Sequence, residues 1–530
     1  MSLVVLLAWA GVMAVLVGRS YDGAFSNLAT DLSRYGSTAQ WRGVYYRGEK
    51  LGFTVSQTVP TDTGFELRED GQLLMTLLGA HTEATLHTTA QVDEAFVLRS
   101  FEFSLDPGTG PIEVRGVVRP AAPGWALALE VTSAASTRPQ TLELTDPPVL
   151  AVSLPRRLAS GGLVPGARHQ WNVFDPATLR NAPMALTVGE REIVRDGNGS
   201  IPAFRVDIDF AGLQTSSWIT DTGEVIREES PLGLITIRES SERARAMAVP
   251  GSVRADLLEA SAVVPETKER IDEPRDVRRL RVRLEGTDLS GPELEGAGQT
   301  IDGDVVEIVD FDRLTPGPND ADLARYLEPE PLIESDAPEI RAETELALSG
   351  SSGDRAQAEE LVRYVSALLE KKPTVSLPSA REVLRTKIGD CNEHTALYVA
   401  MARAAGIPAR ISVGLVFVRG AFYYHAWPEV YLRDGPQRGF WLPVDPTFNQ
   451  FPADSTHLRL ARGGLDRQAA ILPMIGRLKM TVLDLELAPG ATRILVGDET
   501  PTAIQPVLAL PRREEASAGC WWSRLCADRR

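Results

Sequence analysis

The sequence predicts an α+β fold, in which a large antiparallel β domain precedes a unit made of a helix packed on a second antiparallel sheet. Between about residues 40 and 245, apolar and polar residues alternate in short runs such as VLRSFEFSL and FRVDIDF, which is typical of half-buried strands. Near residue 345 the apolar spacing changes to three and four residues, as in a helix. After Gly406, three further strand patterns follow one another.

Turn residues and changes of composition give the domain boundaries. Stretches such as DPGTGP separate the strands, and we expect the antiparallel β domain at 38–250. Residues 251–345 are rich in charge and proline, which favours a linker with a small β-rich region. The helix-and-sheet unit is expected at 346–465, and a C-terminal extension with a flexible tail at 466–530.

The first residues form an apolar run, SLVVLLAWAGVMAVLVG, that ends at Arg19. Its length of about 17 residues is at the lower edge of what spans a bilayer. We expect residues 1–20 to be a membrane anchor, with a cleaved signal segment as the alternative, because no clear basic start or cleavage site is visible. The bulk of the chain is then expected on the extracytoplasmic, periplasmic side.

The charge and cysteine content exclude two possibilities. With 72 acidic against 55 basic residues the net charge is −17, so the surface should repel nucleic acid, and we expect no such partner. Three cysteines cannot form a disulfide framework for 530 residues. Stability must therefore come from packing.

The stretch GDCNEHT (389–395) contains Cys391, the only cysteine among the first 519 residues. The residues that follow favour a helix ending near Gly406, which places Cys391 in its first turn. The unpaired N–H groups at that end of a helix favour a thiolate, which suits a nucleophile. A free cysteine is also a common buried packing residue, so Cys391 alone does not establish catalysis.

His425 and Asp445 lie in the strand patterns that follow. AFYYHAWPEVYL and GFWLPVDPTF read as neighbouring strands of a hairpin, and the two residues lie at comparable distances from its turn. We therefore expect their side chains to meet. A thiol, an imidazole and a carboxylate would make a nucleophile, a base and an orienting group. Trp427, on the same strand face as His425, is our candidate for substrate binding.

Three ordered blocks carry a family resemblance: G-D-C-N-E-H with R-A-A-G-I-P-A-R, then H-A-W-P-E-V-Y, then W-L-P-V-D-P-T. Over roughly 360–450 the chain resembles the transglutaminase-like superfamily of papain-type cysteine enzymes, especially its bacterial members. The resemblance implies a papain-like transglutaminase core. It also implies that Cys391 is the nucleophile, His425 the general base and acid, and Asp445 the residue that holds the imidazole tautomer.

The activity implied is acyl transfer on the amides of a peptide or protein, through a thioester that passes to water or to an amine. That description covers proteases, amidases and transglutaminases, and it requires no cofactor and no metal. One alternative is a catalytically silent binding or scaffold protein at a membrane. Another is a metal site at Cys391, His394 and His425, although no other thiol or histidine cluster completes it.

Overall fold

The computed structural model describes residues 35–495 apart from short gaps, at 37, 78–79, 107–110, 134–135, 196–198, 211, 231–232, 248–261, 290–292, 373–378, 464–470, 472–473, 475–476 and 493. The predicted membrane segment at 1–20 and the predicted flexible tail both lie outside the described residues. Within that range, no helix combines the length and the apolar character needed to cross a bilayer.

The large antiparallel β region predicted from the alternating pattern is present. Fourteen strands form one sheet in the described residues, and β5 and β6 bury alternate side chains as the period-two pattern requires. The strands are β1 (Gln40–Tyr46), β2 (Glu49–Thr61), β3 (Gly64–Leu77), β4 (Ala80–Val92), β5 (Leu98–Asp106), β6 (Ile112–Ala121), β7 (Gly124–Ser133), β8 (Ser136–Leu144), β9 (Arg168–Asp175), β10 (Arg180–Arg195), β11 (Ser200–Phe210), β12 (Leu213–Ile219), β13 (Val225–Glu229) and β14 (Leu234–Glu239).

The sheet consists of two meanders that join where β1 pairs with β14. Its spatial order runs from β8 down to β1 and then from β14 down to β9, so β8 and β9 are the two outer strands. Val149, which follows β8 in the chain, bridges to Val173 of β9. The two outer strands therefore lie near one another and leave a seam between them.

The second half of the chain contains most of the helices and several smaller sheets. The helices are α1 (Leu154–Ala159), α2 (Ser241–Arg245), α3 (Pro338–Ala347), α4 (Asp354–Leu368), α5 (Ala380–Thr386) and α6 (Cys391–Ala404). The strands are β15 (Glu269–Arg270), β16 (Val277–Glu285), β17 (Gln299–Asp302), β18 (Val305–Val309), β19 (Gly317–Pro318), β20 (Glu370–Lys371), β21 (Ile388–Gly389), β22 (Ala409–Val418), β23 (Ala421–Arg433), β24 (Arg438–Pro443), β25 (Leu458–Arg462), β26 (Lys479–Leu487) and β27 (Ile494–Leu495).

Two of these sheets have four or five strands. One has the order β19, β24, β23, β22, β25, and α6 packs against its strands β22 and β23. The other has the order β17, β18, β16, β26, so a strand from near residue 480 completes a sheet that begins near residue 277. A helix on an antiparallel sheet is the arrangement that the sequence predicts for this part of the chain.

One large apolar core extends across these regions, and two smaller apolar clusters lie within the large sheet region. The large core includes Val44 and Leu129 of the large sheet, Val282 of the small sheet, and Leu361 and Leu397 of the helices. Every residue of α6 from the first to Arg403 is buried. The helix that begins with Cys391 therefore lies inside the protein.

Candidate active site

The first turn of α6 is fixed by a capping box. The Asp390 carboxylate accepts a hydrogen bond from the Asn392 N–H at 3.3 Å, and the Asp390 N–H donates to Glu393 Oε2 at 3.0 Å. A Cβ on Gly389 would lie 2.2 Å from the Glu393 Cβ, so only glycine fits there. Cys391 is the first residue of the helix as a consequence, as the sequence predicts.

Cys391 lies beside a part of β23 that β24 leaves uncovered. β24 pairs with β23 only from Glu429 onward, whereas β22 pairs with β23 along most of its length. In the uncovered part, the backbone of Ala426 hydrogen-bonds to the Cys391 thiol, and Thr395 Oγ1 donates to the Ala426 carbonyl at 3.1 Å. The first turn of α6 thus covers this edge and places the sulfur next to the residue that follows His425.

The charge state of Cys391 differs from the thiolate that the helix terminus alone favours. Burial raises the pKa of the thiol well above its usual value, and the nearby carboxyls of Asp390 and Glu393 raise it further. The side chain is only 4% exposed. The expectation of a thiolate in the resting protein is therefore wrong, because desolvation and neighbouring acids outweigh the helix terminus.

His425 and Asp445 meet as predicted. His425 Nε2 lies 2.7 Å from Asp445 Oδ2, and both side chains are buried. Asp445 lies two residues beyond β24, and its second oxygen accepts hydrogen bonds from the N–H groups of Thr447 and Phe448 at 2.7 and 3.1 Å. The backbone of the Asp445 loop therefore holds one carboxylate oxygen, and the other oxygen contacts the imidazole.

The hydrogen bond to Asp445 determines which ring nitrogen of His425 can act as a base. Because Nε2 carries the proton that Asp445 accepts, Nδ1 keeps its lone pair. Trp427 and Phe448 lie against the ring, with centroid distances of 6.0 and 5.1 Å. Trp427 is buried and its Nε1 has no hydrogen-bond partner among the described residues. Its role in substrate binding stays a prediction.

His457 belongs to the site and the sequence analysis missed it. Its Nε2 lies 3.0 Å from Asp445 Oδ2, the same oxygen that His425 contacts, and its Nδ1 lies 3.2 Å from Asp454 Oδ1. His457 immediately precedes β25, which pairs with β22. The only sequence signal was an aspartate three residues before a histidine at a strand start, which alone indicates no site.

The two histidines and two aspartates form a coupled charge system. Burial would raise the pKa of the Asp445 carboxyl, but His425 and His457 outweigh it and hold that pKa well below its usual range. Burial would lower the pKa of His457, but Asp454 and Asp445 raise it to about 10. Burial would raise the pKa of Asp454, but His457 lowers it to about 2. At neutral pH, Asp445 therefore lies between two imidazoles, of which His457 is charged.

The same groups bear on the alternative of a metal site. Ligand atoms of His425, Asp445 and His457 lie within 4.8 Å of one another. Hydrogen bonds through one shared oxygen already account for that convergence. Among the described residues, Cys391 and His394 do not join such a group. His394 Nδ1 contacts the Asp390 carbonyl at 2.6 Å. Burial lowers the pKa of His394 to about 4, so its ring is neutral.

Comparison with known proteins yields weak structural likenesses. No curated protein matches the chain. A β-barrel-like protein of a domain of unknown function from Brucella abortus is 13% identical, with a TM-score of 0.30 over 38% of this chain and 96% of its own. A protein from Cytophaga hutchinsonii named "putative cysteine protease" is 13% identical, with a TM-score of 0.26 over 42% of this chain and 89% of its own. TM-scores this low do not establish a shared overall fold.

The sequence comparison is more specific, because it falls on the segment that carries Cys391, His425 and Asp445. Residues 344–446 match the model of the transglutaminase-like superfamily. That range begins within α3 and ends one residue after Asp445. The three sequence blocks and the matched range agree, and this segment of the chain is therefore transglutaminase-like.

Proposed function

We propose that this protein is a cysteine-dependent acyl-transfer enzyme that acts on amides of a peptide or protein. The observation that carries the proposal is the buried 2.7 Å contact between His425 and Asp445, next to the helix terminus that holds Cys391. A nucleophile, a base and an orienting group in this order are what acyl transfer requires. The transglutaminase-like match of residues 344–446 supports the same chemistry.

The proposed mechanism begins from a neutral thiol. Because the pKa of Cys391 is raised, His425 Nδ1 takes the thiol proton as the sulfur attacks the amide carbonyl carbon. Ionised Asp445 stabilises the imidazolium that forms. His425 then gives the proton to the leaving amine, and the C–N bond breaks to leave a thioester on Cys391. Water or a second amine attacks the thioester and releases the thiol.

The environment of the site favours this proton transfer over a permanent ion pair. A thiolate beside Asp390 and Glu393 would suffer repulsion in a buried setting. An imidazolium at His425 has the Asp445 carboxylate within 2.7 Å, but its ring also faces the charged His457 at a centroid distance of 5.7 Å. We infer that the charge-separated state forms when substrate enters and excludes the remaining water.

A product assay tests the proposal. The purified chain would be incubated with dimethylcasein and with a bacterial protein extract. Three products would be measured: released ammonia, new α-amino groups and incorporated dansylcadaverine. We expect at least one product from the wild type and none from Cys391→Ala. Cys520→Ala, which replaces a cysteine without a proposed role, should behave as the wild type. Equal product from the wild type and Cys391→Ala would contradict the proposal.

One observation favours a second candidate, the silent binding or scaffold protein. Cys391 is 4% exposed and its pKa is raised, and both properties are those of an unreactive packed cysteine. In that case no substrate would give a Cys391-dependent product, and Cys391→Ala would leave the biological role of the chain unchanged. The assay above, combined with complementation by Cys391→Ala, separates the two candidates.

A further inference from the structure

A large cavity lies at the seam of the fourteen-stranded sheet, against the first turns of α6. Its volume is about 590 Å³, which is in the range that ligand sites occupy. One wall is formed by residues 140–144 of β8 and another by residues 178–181 at the start of β10. Residues 330–333, together with Asn392, Thr395 and Ala396 of α6, also line it. The cavity therefore connects the β domain to the helix of Cys391.

The strand that lines this cavity has an open edge. β8 pairs only with β7, and in the described residues the backbone of 140–144 makes no hydrogen bond on its other side. Pro139 indicates which backbone N–H and C=O groups of β8 point away from β7. A proline has no N–H to donate, so within an edge strand it occupies a position whose nitrogen points away from the neighbouring strand. Thr141 and Glu143 share the alternation of Pro139, so their N–H and C=O groups face outward.

Two side-chain oxygens at the cavity also lack donors. Gln140 Oε1 and Asn181 Oδ1 are inaccessible to solvent and have no hydrogen-bond partner among the described residues. Both residues line the cavity, on its two β-domain walls. A buried carbonyl oxygen without a donor is unfavourable, so either side chain gains a hydrogen bond if it turns its oxygen towards a cavity occupant that brings N–H groups.

We propose that this cavity binds an extended peptide segment, which pairs with β8 as an additional strand of the large sheet. The outward N–H and C=O groups of Thr141 and Glu143 match the backbone of such a segment, and an exposed strand edge is a ready template for pairing. N–H groups of the peptide donate to the amide oxygens of Gln140 and Asn181 once those side chains turn towards the cavity. The peptide side chains that face α6 then determine which peptide sequences bind.

This inference rests on the proposed function, and it specifies that the substrate of the Cys391 site binds as an extended peptide. A peptide held along β8 crosses the cavity wall that Asn392 and Thr395 provide, one and four residues after Cys391. The β domain thus serves as the substrate-binding part, and the transglutaminase-like segment supplies the chemistry. A folded protein would enter only through a terminus or an extended loop.

Binding to the full chain with Cys391→Ala tests the inference without depending on catalysis. The immobilised protein would be exposed to a randomised library of N-acetylated, C-amidated eight-residue peptides, and retained peptides would be measured by mass spectrometry. A second library would carry N-methyl groups on every backbone amide, which removes the donors from both edges of the peptide and prevents strand pairing. We expect retention of the first library and about tenfold less of the second.

Proline substitutions locate the binding edge. Thr141→Pro combined with Glu143→Pro removes outward donors while leaving the pairing with β7, and retention should fall about tenfold or more. Thr137→Pro, at an equivalent position of β8 outside the cavity, should retain peptides as the parent does. Equal retention by all variants, equal retention of both libraries, or no retention by the parent would overturn the inference. None of these outcomes bears on whether wild-type protein forms Cys391-dependent products.

Discussion

At the scale of single residues, the candidate site combines a buried thiol, Cys391, with an imidazole, His425, that lies 2.7 Å from a buried carboxylate. Cys391 is flanked by Asp390 and Glu393, and burial raises the pKa of Asp390 well above its usual value, with Glu393 adding to the effect. The same carboxyls disfavour the Cys391 thiolate. Asp445, in contrast, is held ionised beside His425. In the mechanism proposed above, the thiol therefore stays neutral until His425 takes its proton.

Substituting Glu393 by glutamine should make Cys391 more acidic. Glutamine retains the capping box but removes a negative charge that raises the thiol pKa, so alkylation of Cys391 by iodoacetamide at mildly alkaline pH should accelerate about threefold to tenfold. Glu382→Gln changes the equivalent position of α5 and should have no effect. An unchanged or slower rate in Glu393→Gln would show that the Glu393 carboxylate does not control the thiol.

His457 should make the stability of the protein depend on pH in the alkaline range. Its pKa rises from 6.5 to about 10 on folding, so its contribution is fully present below 6.5 and is lost as the pH rises towards 10. The loss should be on the order of 5 kcal/mol, measured as the free energy of unfolding in urea at several pH values. His457→Gln should be less stable at pH 6 and show a flatter profile. Parallel profiles for the two proteins would contradict this assignment.

At the scale of elements, the sequence was informative where local signals coincide. The Cys391 helix, its ending near Gly406 and the hairpin that brings the side chains of His425 and Asp445 near one another follow from capping residues, turns and alternation. His457 was missed because it reaches Asp445 only through the pairing of β25 with β22, a contact between segments that alternation does not specify. The raised pKa of Cys391 was missed for a similar reason, since burial depends on the whole core.

The close approach of β22 and β25 can be tested at Gly414. A Cβ on Gly414 would lie 2.0 Å from the Leu458 carbonyl oxygen, so Gly414→Ala must push β25 away and move the adjacent His457. We expect a loss of about 1 to 3 kcal/mol in the free energy of unfolding, together with reduced activity. Gly317→Ala, where an added Cβ meets nothing within 4 Å, is the matched control. Equal stability of the two variants would contradict the strand contact.

At the scale of the whole molecule, a buried ion network joins the sheet of His425 to the small β-rich region. The side chain of Glu429 in β23 is fully buried. Its carboxylate contacts three arginines, at 2.7 Å for Arg410, 2.8 Å for Arg459 and 3.4 Å for Arg462. Arg459 also donates to the carbonyls of residues 295 and 296 at 2.7 and 2.8 Å. Burial would raise the pKa of Glu429, but the three arginines hold it well below its usual range.

Removing the charge of Glu429 should therefore destabilise the protein strongly. Glu429→Gln leaves three cations around a neutral buried group, and we expect a loss of about 3 to 5 kcal/mol in the free energy of unfolding by urea. Glu102→Gln breaks an ion pair with Arg115 in which both side chains are more than half exposed, and it should cost less than about 1 kcal/mol. A loss at Glu429 no larger than at Glu102 would show that the network does not hold these regions together.

If His425 activates Cys391 as proposed, the rate of alkylation at Cys391 should depend on His425. Folded protein would be treated with iodoacetamide at neutral pH, and modification of Cys391 would be followed by mass spectrometry of its peptide. We predict that His425→Gln lowers the rate at least about tenfold, whereas His169→Ala in β9 leaves it unchanged. Equal rates in the wild type and His425→Gln, or modification of Cys391 only after unfolding, would contradict the account.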